Sequence, residues 1–381
     1  MAVLSTQNAI EQSTSFETSF LPLKDPRRTN KGAFDYPLQE IILLAISSVL
    51  CGYSNWTSMV VFGESKLEWL RQFYPYTNGI PSHDTLGKLF QRLDPNLFSE
   101  CFTNWVNEIA CLTNGEVVAI DGKTIRGSGQ SGKKKSALHV VSAYATDNRI
   151  SLAQKTVNAK SNEIIAIPEL LNLLTIKGCI VTIDAMGCQK SIASKIIEKE
   201  ADYVLMVKDN QKELLAQVIK MFKLRTNPIS HETTDAGHGR VETRLCEVID
   251  DLTFFDDNEN WKGLKSVIKI TSTRHLKKEN KTSVEYRYYI TSLSANPEKL
   301  NQVIRSHWRV ENNLHWSLDV IMGEDKALKK KGNSAINLNV INKMALHMLE
   351  KEQTFKATKP GKMTRAALDD KYRECLLKVL K

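Results

Sequence analysis

No apolar run in the chain reaches the roughly 20 residues that a membrane-spanning helix needs. The most apolar stretch, Ile41 to Tyr53, falls short of it. The opening residues, MAVLSTQNAIEQSTSFETSF, show no basic region leading into an apolar core, so no secretory signal is expected. Cysteine is sparse and scattered. The seven residues at 51, 101, 111, 179, 188, 246 and 375 form no C-x-x-C pair and no Cys/His cluster at zinc spacing. H-E-x-x-H is also missing. These absences argue against a disulfide framework and a zinc site, and predict reduced thiols in a cytoplasmic protein. No internal repeat occurs beyond two His-Trp dipeptides.

What remains is an ordinary globular composition, 42% hydrophobic and 25% charged over 381 residues. Wholesale disorder and a fibrous protein are excluded, and the length suggests two to three structural units. Lys and Arg number 52 against 43 Asp and Glu, a net charge of +9. That balance favours a polyanionic partner. The excess is local: Gly122 to Thr146 holds five cations and no acid, and Phe355 to Lys381 holds eight cations against three acids.

Residues 1–34 are polar and read as a flexible arm, either plain disorder or a DNA-tracking segment. Residues 35–114 are helical in pattern. Pro37 suits a first turn, and Leu38, Ile41, Ile42, Ala45 and Val49 recur at helical spacing. A helix is expected over Glu64–Phe73, another capped by Ser82, and a third starting at Asp94-Pro95. Two short helices joined by a turn fit a DNA-reading helix-turn-helix; a bundle packed on the next domain fits as well. From Glu116 the period changes. VVAID is a strand, LHVVSAYATDN and RISLAQKTV a hairpin, and CIVTID and YVLMV follow with helices between. Three antiparallel strands and then β-α-β-α-β is the order of an RNase H-like α/β sheet. On this reading 115–211 and 286–350 form the catalytic core and 212–285 a β-rich insertion. Residues 351–381 form a basic tail. Asn296-Pro297 caps a long helix that carries HWRVENNLHW.

Gly127-Ser-Gly129-Gln-Ser-Gly132 matches a dinucleotide-binding fingerprint literally, but it leads into KKKS and a strand, not a helix. Without a helix N-terminus behind it there is no phosphate cradle, and no nucleotide cofactor is expected. A stronger signal is the pair Asp121 and Asp184, each closing an apolar strand run where an open α/β sheet places ligand-binding groups. Such a pair can hold divalent cations through oxygen, or simply cap turns. His307, Glu311 and His315 recur every four residues on one helix, a polar stripe among core-seeking positions.

AIDGKTIRGS, VTIDAMGCQKSIA, ADYVLMVKDNQ, GHGRVETR, YYITSL and IRSHWRVENNLHWSLDV occur in one order. Together they resemble the DDE transposases of bacterial insertion sequences, in the branch of the H-repeat-associated proteins. The resemblance runs from about Asp25 to Met348. It implies an RNase H-like core with the triad Asp121, Asp184 and Glu311 holding two Mg²⁺ ions about 3.5–4 Å apart, with Mn²⁺ as a substitute. It implies metal-dependent cleavage and strand transfer on double-stranded DNA, element ends and target alike, by a dimer on DNA. The setting is the bacterial cytoplasm, with no membrane partner. Related branches carry Tyr-x₂-Arg-x₃-Glu-x₆-Lys around the Glu; those slots here hold Ile304, His307 and Leu318. Phosphate contacts then fall to Arg305, His307 and Arg309, with Lys123, Arg126, Lys133, Lys134 and Lys135 near the acids. The alternatives are a non-cleaving DNA-binding descendant and a metal-dependent nuclease without strand transfer.

Overall fold

The computed structural model describes residues 15–27, 35–129, 137–157, 163–225, 227–237, 239–256 and 258–380. Strands β1 (Val117–Ile125), β2 (Leu138–Ala145) and β3 (Ile150–Val157) form an antiparallel meander. On the other side of β1, β4 (Ile180–Ile183) and β5 (Asp202–Val207) add in parallel. Before each of these lies a helix, α7 (Glu163–Asn172) or α8 (Lys190–Glu198). This is the strand order that the sequence pattern predicts for its core.

The region 212–285 departs from expectation. It opens on a helix, α9 (Lys212–Leu224), whose Leu214, Val218 and Met221 are buried at helical spacing. Its strands are β6 (Ile229–Gly237), β7 (Arg240–Ile249), β8 (Ser266–Leu276) and β9 (Lys281–Thr291). They continue the main sheet, because β9 pairs antiparallel with β5. A single nine-stranded sheet results, in the order β3-β2-β1-β4-β5-β9-β8-β7-β6. The expected boundary at residue 285 falls inside β9.

Before the sheet come α1 (Ser15–Phe20), α2 (Leu38–Leu50), α3 (Trp56–Ser65), α4 (Leu67–Leu70), α5 (His83–Arg92) and α6 (Pro95–Ile109). The starts of α5 and α6 follow from capping. Ser82 accepts from the Thr85 amide, Asp94 accepts from the Asn96 and Leu97 amides, and Pro95 occupies the first turn. The helix expected over 64–73 is instead the end of α3, which starts at Trp56 under an Asn55 cap, and the short α4.

Alternating strand residues feed two apolar layers, as the period of two requires. Val118, Ile120, Val181, Ile183 and Leu205 join the α1–α8 helices and α11 (Ser334–Lys351) in one core. Val117, Ile180, Val204 and Met206 face α10 (Pro297–His307) on the opposite side, through Leu300, Val303 and Ile304. Every residue of α11 from Ser334 to Leu349 is buried. Its Asn337 side chain donates to the carbonyls of Phe90 and Leu93 at 2.9 and 3.0 Å, satisfying backbone oxygens at the end of α5.

The expected flexible arm and the basic tail both contain helices. In the arm, α1 buries Phe16 and Phe20 against α6, with the Phe20 and Phe98 rings 5.8 Å apart. Residues 1–14 and 28–34 lie outside the described residues. The basic tail forms α12 (Lys359–Leu368) and α13 (Asp370–Leu377). Its charges conceal a core-facing set: Met363, Ala366, Tyr372, Leu376 and Leu377 are buried. Arg373 is fully buried too, its guanidinium 4.0 Å from the Trp69 ring centroid, a cation–π contact. All seven cysteines are free thiols, five of them buried. Among the described residues no helix is long and apolar enough to cross a membrane.

Leu376→Ala should therefore lower stability by about 2–5 kcal/mol in chemical denaturation. A solvated tail would leave the midpoint where it was.

Candidate active site

The parallel β1–β4 ladder ends at the pair Ile120 and Ile183, so Asp121 and Asp184 are the next residues on adjoining strands. By alternation both belong on the α10 side of the sheet. The expectation that each acid closes its strand holds for β4 only. β1 runs on to Ile125, paired with β2. Asp184 caps the short turn after β4 by accepting from the Met186 amide at 3.0 Å.

Glu311 arrives from the opposite direction. After α10 the chain widens into π-helical turns over Val310–His315 and Ser317–Ile321, an irregularity frequent at functional sites. Asp121, Asp184 and Glu311, 127 residues apart at the last step, line one cavity of about 150 Å³ with Thr182, Lys208 and His307. Asp121, Glu311 and His315 each offer one ligand atom within 4.8 Å of the others, a group that could hold a metal ion. Burial raises the Asp121 carboxyl from 3.8 to about 6; His315 opposes the rise, and the charges of Asp184 and Glu311 add to it. Glu311 is held below its ordinary value, chiefly by the His315 hydrogen bond.

Gly122 explains the glycine next to the first acid. A Cβ there would sit 2.5 Å from His139 Nε2 and 2.6 Å from Glu163 Oε1, themselves 2.5 Å apart. Gly127 is equally a packing glycine, its Cβ position only 2.5 Å from the Ala327 carbonyl oxygen. The fingerprint-like glycines thus begin in a close backbone contact, and the next element among the described residues is β2.

Residues 113–348 match the Transposase DDE domain family, and 18–106 match the family described as DDE_Tnp_1-associated. The chain belongs to the DDE transposase family. Its H repeat-associated branch is marked by "H repeat-associated putative transposase YhhI" of Escherichia coli strain K12, 41% identical over 92% of this chain and 94% of the relative. "Putative transposase YncI" of Escherichia coli O157:H7 is 41% identical over 92% of each chain. Among solved structures, a piggyBac transposase synaptic complex with hairpin DNA covers 94% of this chain and 77% of its own at 11% identity, with a TM-score of 0.47. A DDE domain implies use of a divalent metal.

The expected phosphate contacts fare unevenly. Lys123, two residues along β1 from Asp121, is buried, with its Nζ 2.7 Å from both Asp319 and Glu324. Burial pulls its pKa down, but those two carboxylates outweigh burial and raise it. This ammonium is already neutralised and enclosed, so the phosphate role assigned to Lys123 is corrected to an internal tie. His307 is corrected as well: its Nδ1 lies 2.9 Å from Thr182 Oγ1, and burial lowers its pKa to about 4, leaving a neutral ring. Arg126 remains exposed, its backbone amide donating to Asp325 at 3.0 Å. Arg305 pairs with Asp235, and Arg309 with Asp147 at 2.6 Å; both arginines stay open to solvent. Lys133, Lys134 and Lys135 lie outside the described residues. Trp308 and Trp316 are exposed.

A larger groove of about 1010 Å³ adjoins the carboxylates, with Trp308 lining both cavities. Arg240, Arg244, Arg274, Arg287, Arg305, Arg309 and Lys299 line it against Asp147, Asp235, Glu242 and Glu285. Alternation explains the cluster. Arg240, Glu242 and Arg244 take every second position of β7 and share a face, as Glu285 and Arg287 do on β9, while α10 forms the wall. Sequence reasoning misses this groove, although the spacing in GRVETR is there to read.

The buried charges make the site testable without DNA cleavage. Lys123→Met should cost about 3–5 kcal/mol by leaving Glu324 buried and uncompensated, while the salt dependence of DNA binding stays unchanged. A flatter salt slope with intact stability would restore the phosphate role. Asp121→Asn should stabilise the metal-free protein by about 1–3 kcal/mol above pH 6, since each unit of raised carboxyl pKa penalises the ionised fold. The gain should vanish below about pH 4, where Asp121 is protonated in both folded and unfolded chains; denaturation series at several pH values check this.

Proposed function

We propose that the protein is an active DNA transposase, cutting strands at the ends of its insertion sequence and joining them to target DNA. The observation that carries this reading is the convergence of Asp121, Asp184 and Glu311 in one cavity beside a cation-lined groove. Carboxylate oxygens fit a hard divalent cation, Mg²⁺ or Mn²⁺, and a carboxyl raised to about 6 is one that a nearby cation would relieve. Bound there, such ions would supply Lewis-acid activation of water or a DNA 3′-hydroxyl and charge stabilisation on the leaving oxygen.

The chain's own contribution is position. Asp121 and Asp184 are fixed by adjoining strands, and Glu311 by its bond to His315, 2.8 Å from Glu311 Oε2. DNA would follow the arginine groove past Trp308 to the acids. Three arginines, Arg240, Arg244 and Arg274, face the single Glu242 within 3.8 Å, leaving surplus positive charge for phosphates. Such contacts position a duplex without reading its bases. Arg305 and Arg309 serve the same track, and Arg126 flanks it near the first acid. In our reading residues 115–211 and 286–350 carry the chemistry, 212–285 supplies the groove floor, and the enzyme acts as a dimer on DNA.

Asp184→Asn should abolish cleavage of end DNA in Mg²⁺, read on a denaturing gel, while binding stays within a few fold. Persisting cleavage would remove Asp184 from the mechanism. Arg244→Ala with Arg274→Ala should reduce the log–log salt slope of binding by at most about 2 units, roughly 0.9 for each phosphate that is no longer neutralised; an unchanged slope would place the DNA elsewhere.

A further inference from the structure

His315 is buried on the π-helical stretch, its Nδ1 2.8 Å from Glu311 Oε2 and 3.5 Å from Asp121 Oδ2. The neighbouring His307 has a structural partner, Thr182, that accounts for its orientation. For His315 the two acids are the polar groups that face Nδ1. Its Nε2 is buried without a hydrogen bond among the described residues. The ring is thus held with one nitrogen at the carboxylates and the other against the interior.

We propose that His315 is itself a metal ligand through Nδ1, giving the site an imidazole beside its carboxylates and a preference for Mn²⁺ over Mg²⁺. This rests on the metal-dependent reading above and adds to it a donor and an ion preference. In the metal-free state Nδ1–H donates to the ionised Glu311. Ligation needs the Nδ1 lone pair, so the proton shifts to Nε2, and no hydrogen bond at Nε2 opposes the change of tautomer. The Glu311 hydrogen bond is exchanged for a shared ion, with both groups turned to the same point. Mn²⁺, softer than Mg²⁺, takes an imidazole nitrogen beside oxygen ligands more readily, whereas Mg²⁺ keeps to carboxylate and water oxygens. Two carboxylates and one imidazole therefore tilt the site toward Mn²⁺ without excluding Mg²⁺.

Pulsed electron paramagnetic resonance on the full-length protein loaded with Mn²⁺ alone reads the ligand directly. The wild type and His307→Gln should show nitrogen hyperfine coupling to the bound ion, and His315→Gln should lose it. Mn²⁺ affinity in His315→Gln should fall by about 10-fold, with Mg²⁺ affinity, read by competition, changing much less. Wild type grown on histidine carrying the heavy nitrogen isotope should show the coupling change to that of the new nucleus, a readout that needs no substitution at 315. Bound Mn²⁺ without nitrogen coupling, or coupling that survives in His315→Gln, would overturn His315 ligation and leave the carboxylate site standing. Failure of the wild type to bind Mn²⁺ at millimolar concentration would overturn both this proposal and the metal-dependent reading.

Discussion

The parallel pairing of β1 with β4 stops at Ile120 and Ile183, while β1 continues along β2. Because the ladder ends there, two carboxylates stand side by side at the edge of a cavity, with the backbone of both strands already committed to hydrogen bonds. Two residues further along β1, on the same face, Lys123 reaches out to Asp319 and Glu324. Those acids follow the π-helical turns that carry Glu311. One strand therefore bears the first acid and also anchors the segment that delivers the third. A one-residue slip of β1 would send Asp121 and Lys123 to the opposite side of the sheet together.

Gathering three carboxylates around a small cavity is unfavourable in a folded chain, and the surroundings show how the cost is limited. Lys123 and His315 lie beside them. Glu311 stays half in solvent, with its side chain 59% exposed, whereas burial raises the Asp121 carboxyl to about 6. The buried tie from Lys123 to Glu324 is better understood as a device for register than as a source of stability, since apolar replacements of such pairs often do as well. Asn339 donates to the remaining Glu324 oxygen at 2.6 Å, so α11 also has a hand in holding that carboxylate.

Much of this is legible in the residues. The change of period at Glu116, the apolar runs before each aspartate and the caps at Ser82 and Asp94 are local signals, and local physics decides them. The placement of Glu311 beside the aspartates rests on family resemblance, since nothing local joins positions so far apart. Lys123 misleads because its charge is visible and its partners, some 200 residues later, are not. In α12 and α13 the cations mask Tyr372 and Leu376, whose helical spacing carries the truer message. The groove is hidden for a related reason: its arginines belong to three strands, α10 and the turn after it, and only the pairing of the strands and the packing of α10 on them bring these together. The π-helical turns break the period of 3.6, so the stripe expected of His307, Glu311 and His315 divides, with His307 bound to β4 and His315 to the acids.

The fit of Arg373 against Trp69 has a consequence for how the chain is made. Lys66 and Asp370, neighbours in this contact, are 304 positions apart. A chain synthesised from its N-terminus forms α2, α3 and α4 long before α13 exists, so their outer side stays uncovered while most of the protein is being built. The helices that come first in the sequence are therefore among the last to be completed in space. A nascent chain exposes Trp69 and Phe62 throughout that interval, an apolar surface that invites chaperones or neighbouring chains.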